Sequence, residues 1–297
     1  MQETTIHNAG IAKRKTRWGS VGFFAILTLV TLVGCPIYLY YMEGLSLFLG
    51  VLTLSYVFLT SMAITAGYHR LYAHMTYKAH PVYHFLMLFL GAATFQQSAL
   101  KWSSLHRTHH RYTDTDRDPY NIKKGFFHAH VGWILFWKNP VDYGNVKNLG
   151  QFSLLMHQHN HYQAWAILAG VVTPVMIGAM GGQALGALLF AVTARVFVVF
   201  QLSFFINSLA HTLGTANYDA KVSAKDNFFA AVMTNGEGYH NYHHRFPMDY
   251  RNGVYWYHWD PTKWWIWTAS KIGLVRDLVR IPTEKILKAR LTHQPSA

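Results

Sequence analysis

The 297-residue sequence has a single cysteine, Cys35. That excludes a disulfide within the chain, a thiolate metal site and an iron–sulfur cluster of its own. Acids are also few, 13 against 26 Lys and Arg. The carboxylate-rich pattern of soluble di-metal bundles, Glu residues with paired Glu-x-x-His motifs, is missing. No linker, repeat or low-complexity tract divides the chain, and Pro and Gly are scattered singly. The sequence therefore predicts one domain over residues 1–297. No nucleic-acid motif accompanies the net charge of +13. Anionic lipid headgroups or an acidic protein are left as the partners of that charge, and nucleic acid is not expected.

What is present is apolar: 51% of residues are hydrophobic and 16% aromatic. A membrane span needs about 20 mostly apolar residues. Four runs qualify, at about residues 21–41, 47–66, 162–181 and 185–206. The first is too long for a signal-peptide core and has no small-residue cleavage site. A fifth run, residues 82–100, is read as in-plane or half-buried. Were it a crossing, His69 and His74 before it would face the opposite side from His106, His109 and His110 after it. The two short loops between paired spans, residues 42–46 and 180–184, contain no Lys or Arg. Lys13, Arg14, Lys15 and Arg17 precede the first span, and nearly all other Lys and Arg fall in 67–161 and 207–297. The asymmetry predicts both termini and the histidine-bearing cap, 67–161 plus 207–297, in the cytoplasm. Arg195 falls mid-span, where a charge either has a function or pairs within the bundle. The motif Asp260-Pro261-Thr-Lys reads as a capped helix start, followed by Trp264, Trp265 and Trp267 at a membrane surface.

Nineteen histidines are the strongest bias in the sequence. Three clusters have ligand spacing: His69 with His74, then His106, His109 and His110, then His240, His243 and His244. In the last two, positions i, i+3 and i+4 share one helical face. Asn207 and His211 form a fourth pair, i and i+4, at the end of the last span. So many imidazoles exceed one ion's needs; two ions of four or five ligands each fit the count. Imidazole suits iron, copper, nickel and zinc alike. Asp118 and Glu237, with Asp114 and Asp116 nearby, are candidates to accept the second N–H of a ligating imidazole, or simply solvated loop acids. The alternating His157, His159 and His161, and the pair His128 and His130, fit a strand or loop at an interface. His80, His84 and His258 are read as belt or hydrogen-bonding residues.

In this order, HRLYAH, HRTHH, NSLAH and HNYHH resemble the membrane fatty-acid desaturases, in particular the Δ9, stearoyl-CoA-type acyl-CoA desaturases, bacterial ones included. ITAGYHRLYAH, DTDRDPYN, GFFHAHVGW, GEGYHNYHHRFPMDYR and WDPTKW extend the likeness from about residue 20 to 280. The resemblance implies an all-α integral membrane protein: four transmembrane helices under a cytoplasmic helical cap holding a His-rich di-iron centre. It assigns His69, His74, His106, His110 and His243 to one iron. It assigns His109, Asn207, His211, His240 and His244 to the other, Asn207 through a water. His106 and His243 are the candidate catalytic residues. Arg195 matches an arginine of the family's last span. The headgroup contacts depart from the animal enzymes. Ser104 and Leu105 stand where those have Arg-Asp, Gln97 where they have Asn, Phe204 where they have Trp. Of an Arg-Lys pair only Lys138, after Trp137, remains. Gln97, Lys138 and Phe204 are therefore the expected substrate contacts, and Thr53 and Val57 the expected closed end of an acyl tunnel.

The function so implied is O2-dependent desaturation of a saturated acyl chain at C9–C10. The substrate would be an acyl-CoA, or else an acyl-lipid or acyl-carrier protein. No haem, flavin or iron–sulfur motif is present, so electrons must come from a separate donor such as cytochrome b5, ferredoxin or a flavoprotein reductase. A membrane di-iron hydroxylase of lipid, sterol or alkane shares the first hydrogen abstraction and differs in product. A metal transporter or sensor would need ligands distributed along the spans; here they gather on one face.

Overall fold

A computed structural model describes residues 16–136 and 140–292. Lys138 and Trp137 lie outside these, as do Lys13, Arg14 and Lys15. Among the described residues, four helices are long and apolar enough to cross a membrane: α1 Trp18–Tyr41, α2 Leu47–Ala73, α6 Tyr162–Met180 and α7 Ala184–His211. Between and after them lie α3 Pro81–Ala92, α4 Ala99–Tyr112, α5 Ser153–Asn160, α8 Phe228–Met233, α9 His240–Arg245, α10 Pro261–Lys271 and α11 Thr283–Thr292. Side chains such as Ile26, Leu29, Leu32, Leu54, Met176 and Leu185 are exposed on the four long helices. Outward apolar faces of that kind suit lipid rather than water.

Two of the four helices outrun the spans expected from hydropathy. α2 continues past Ala66 to Ala73, and α7 past Ile206 to His211, so each carries its histidines out of the apolar layer on unbroken helix. The apolar run 82–100 does not cross. Pro81 starts α3, which ends at Ala92 after 12 residues, about 18 Å against about 30 Å of hydrocarbon. The chain then breaks through Phe95 and Gln97, both at positive φ (60° and 76°), before Ser98 caps α4 by accepting from the Lys101 N–H at 3.3 Å.

Arg195 is fully buried in α7 and satisfied by backbone carbonyls. It donates to Ala191 O at 3.0 Å, to Gly170 O at 2.8 Å and to Ala93 O at the end of α3. Its charge thus ties α7 to α6 and α3, which is the pairing reading. On the cap side, a two-residue antiparallel pairing joins β1 Lys78–Ala79 to β2 Val275–Arg276, with Lys78 opposite Arg276. It fastens the end of α10 beside the turn that follows His74. Asp260 caps α10 at the Lys263 N–H, 2.9 Å, and Pro261 is its first residue, as the sequence suggested.

Candidate metal centre

α2, α4, α7 and α9 bring nine histidines into two adjoining groups. The first is His69, His74, His106, His110 and His243; the second is His109, His211, His240 and His244. Within each group one ring nitrogen per residue lies within 4.8 Å of all the others. The Nε2 atoms nearly touch: His74 to His106 at 2.8 Å, His69 to His243 at 3.0 Å, His243 to His110 at 2.9 Å, His240 to His211 at 3.1 Å.

Local backbone geometry explains the convergence. His69 and His74 are five residues apart, which in an α-helix would put them about 140° apart. Here Ala63–Ala73 is wound as a π-helix, and the His74 N–H reaches the His69 carbonyl at 3.1 Å. The wider turn swings both rings to one side, a use of π-helical winding common at functional sites. On α4, His106 and His110 lie within about 40° of each other, while His109 leans about 60° the other way. It therefore serves the second group. On α9, His240 and His244 stay together and His243 crosses to the first. Each HxxHH helix thus straddles both sites.

Three imidazoles are oriented from behind. His69 donates Nδ1–H to Glu237 at 2.8 Å and His109 to Asp118 at 2.9 Å. The Nδ1 of His211 meets Ser223 Oγ at 2.7 Å, and that hydroxyl donates to Asp114 Oδ1 at 2.5 Å. A carboxylate can only accept, so Nδ1 of His69 and His109 carries the proton and Nε2 presents a lone pair inward. Burial, then the neighbouring imidazoles, hold His106, His110, His240, His243 and His244 well below the usual histidine value. Neutral imidazoles with convergent lone pairs are the donor set that metal ions take.

Glu237 is fixed in turn. Arg70 donates to it from Nε at 3.2 Å and from a terminal nitrogen at 2.9 Å, and Asn252 donates at 2.7 Å. Arg70 also bonds both oxygens of Asp260, at 3.0 and 3.2 Å, and the Tyr250 carbonyl at 2.7 Å. Burial alone pushes the Glu237 carboxyl up, but His69 and Arg70 bring it below its ordinary value. Sequence reasoning had no signal for Arg70, whose partners lie 167 and 190 residues away, nor for Ser223. Glu237→Gln keeps the shape but removes the charge facing His69. Metal affinity is expected to fall about 10- to 100-fold, read by competition with a metallochromic chelator.

Among the described residues, the other histidines lie outside both groups. His157, His159 and His161 do not sit on a strand or loop: His157 and His159 are in α5, and His161 is the single residue between α5 and α6. His157 accepts from Trp165 Nε1 at 3.1 Å, and His159 pairs with Ser98 at 2.6 Å. His130 bonds Ser208 and Gln201, both at 2.9 Å. His84 pairs with Tyr72, and His258 stacks on Tyr239.

A cavity of about 370 Å³ runs up to the histidines. Arg17, Gln97 and Lys101 line its exposed end, Phe24, Phe95, Phe200 and Phe204 its apolar length. His69, His106, His109, His240 and Asn207 line the inner end. Gln97 and Phe204 are thus on the wall, while Thr53 and Val57 are not; α2 contributes Ile64 and Thr65 instead. Trp102 stacks on His106 at 4.9 Å and 19°, so the wall also holds a ligand ring in place.

Comparison with known proteins gives the family. The profile of the family described as fatty acid desaturase matches residues 43–274. The chain belongs to the fatty acid desaturase family. It is 42% identical over 241 residues to a probable acyl-CoA desaturase of Schizosaccharomyces pombe, covering 80% of this chain and 50% of that protein. It is 42% identical over 237 residues to acyl-CoA desaturase 1 of Saccharomyces cerevisiae, 78% of this chain and 46% of that one. The chain thus spans about half the length of these yeast relatives. A Delta(9)-fatty-acid desaturase of Caenorhabditis elegans is 34% identical over 288 residues, 95% of this chain and 84% of that protein. Family and histidine groups together indicate a metal cofactor, and the four apolar helices with the family indicate an integral membrane protein.

Proposed function

We propose that this chain is an O2-dependent acyl-CoA desaturase that places a cis double bond between C9 and C10 of a saturated acyl chain. The observation that carries the reading is the apolar cavity, whose inner end is bounded by imidazoles of both histidine groups. The names of the relatives support acyl-CoA as substrate and Δ9 as position.

In this reading the first group would hold one iron and the second the other, with Asn207 joining the second group through a water. Iron bound there supplies O2 activation, so that two hydrogens leave adjacent methylenes and, with two electrons and two protons from outside, O2 becomes two waters. The protein's part is placement and exclusion. Phe24, Phe200 and Phe204 confine the chain, and fixing one C–C pair against the centre can account for much of the selectivity. Glu237, Asp118 and Ser223 hold the imidazoles in the orientation that leaves Nε2 free. The electrons come from a separate donor: cytochrome b5, ferredoxin or a flavoprotein reductase. The Lys and Arg asymmetry supports a cytoplasmic position for both termini and the whole cap, over a single domain.

Thr53 and Val57, off the wall of this cavity, would close the tunnel only for an acyl chain that runs on past Ile64 along α2. Val57 is seven residues before Ile64 on α2, about 10 Å further along the helix. Val57→Trp is accordingly expected to move the accepted acyl chain to shorter lengths. A product chain-length profile that did not move would count against that end-wall. The reading as a whole is tested by gas chromatography–mass spectrometry of fatty acids from a desaturase-deficient host expressing the chain, with double bonds located by derivatisation. New Δ9 monounsaturated chains support it; hydroxylated lipid would replace it with a hydroxylase.

A further inference from the structure

Of the nine grouped histidines, His110 and His244 alone are incompletely buried. Each comes from a different group, and their rings stack at 4.3 Å and 18°. Both metal sites therefore reach the surface through one patch. The residue after each ring is an exposed arginine, Arg111 and Arg245. Arg117 joins them: its guanidinium lies 3.9 Å from the centre of the Tyr112 ring, which Arg111 also faces at 5.4 Å. None of the three is among the ion pairs of the described residues, where the nearby Asp116 pairs with Lys124 and Asp118 with His109.

Three exposed guanidinium groups, none ion-paired to a carboxylate among the described residues, stand beside the partly exposed His110 and His244 and call for an anionic partner. On the α4 side the surroundings face water rather than lipid. No large hydrophobic residue is exposed between Leu86 and Phe126, and the exposed aromatic side chains Trp256, Tyr257, Trp264 and Trp267 belong to the segment around α10. We propose that this patch docks a one-electron donor protein whose redox group sits within an acidic rim. Electrons enter through the stacked edges of His110 and His244, one per docking, and one bridge of rings serves both sites. The proposal rests on the desaturase reading for its need of electrons.

The test uses the full chain in neutral detergent, with the double variant Arg111→Glu/Arg245→Glu and the charge-keeping Arg111→Lys/Arg245→Lys. A soluble cytochrome b5 haem domain and a plant-type ferredoxin serve as acidic probes. Their binding to zinc-loaded protein is measured by biolayer interferometry, and their kcat/KM with iron-loaded protein. Charge reversal should weaken binding and lower kcat/KM about tenfold or more at low salt, with the difference shrinking at about 0.5 M salt. The lysine variant should stay near wild type, and dithionite-driven product formation should not change. Unchanged donor affinity in the reversed variant would overturn the proposal. So would loss of binding only to phosphatidylserine vesicles, which would make the patch a lipid contact. So would a loss of donor turnover in Tyr257→Ala or His258→Ala with none in the arginine variants, which would move entry to the aromatic cleft beside Tyr239. Should wild type form no desaturated product with dithionite or either donor, the desaturase reading fails. The zinc-loaded binding measurement still decides the surface.

Discussion

His243→Ala is expected to lower unsaturated product by at least about a thousandfold, a barrier rise of ~4 kcal/mol. Its Nε2 lies 3.0 Å from that of His69 and 2.9 Å from that of His110, so it stands in the middle of the first group. It is also the α9 residue that crosses from the second group to the first, and no neighbour can take its place. The second group keeps all its histidines in this variant. Metal content should therefore fall toward one ion per chain, measured by inductively coupled plasma mass spectrometry alongside the product assay. His106→Ala, in the same group, should match it. A variant that kept two ions and wild-type product would remove His243 from the site.

Arg70→Met is expected to destabilise the fold by about 3–5 kcal/mol, the usual penalty for stranding one side of a buried ion cluster. Arg70, Glu237 and Asp260 are all essentially inaccessible to solvent. Arg70 answers two carboxylates and a carbonyl at once, joining α2 to the α9 approach and to the cap of α10. Removing it leaves two buried acids without a cation. Thermal unfolding in detergent, followed by intrinsic tryptophan fluorescence, should show a clearly lower midpoint even in metal-free protein. The metal-free condition separates this effect from lost ligation. The double change Arg70→Met/Asp260→Asn should recover part of the loss, because one uncompensated charge is then gone.

How much of this was readable in the residues follows from how local each interaction is. The four long apolar helices and the ligand-bearing clusters are patterns within short windows, and the structure has them. The assignment of each histidine to a group was implied by the family resemblance, and for the nine histidines the geometry gives the same division. Spacing alone gave less. It put each HxxHH set on one face, whereas rotation of about 100° per residue lets His109 and His243 lean across to the other group. Nor could spacing show the π-helical winding that makes His69 and His74 meet. The reach of α2 and α7 beyond their apolar runs was hidden because hydropathy marks the membrane and not the helix end. Arg70 and Ser223 act through partners distant in sequence, and no window contains both sides. The alternation at His157, His159 and His161 suggested an extended segment, but α5 forms because its neighbours Leu155 and Gln158 pack inward at helical spacing. Of the expected substrate contacts, Gln97 and Phe204 line the cavity and Thr53 and Val57 do not. Lys138 is outside the described residues.

The most direct measurement of the centre itself is the iron stoichiometry of protein reconstituted anaerobically with ⁵⁷Fe, by mass spectrometry and Mössbauer spectroscopy on the same sample. Two irons per chain, in two nitrogen-rich environments that convert together on oxidation, is the expected result. Saturation at one iron per chain would contradict a centre built from two adjoining histidine groups.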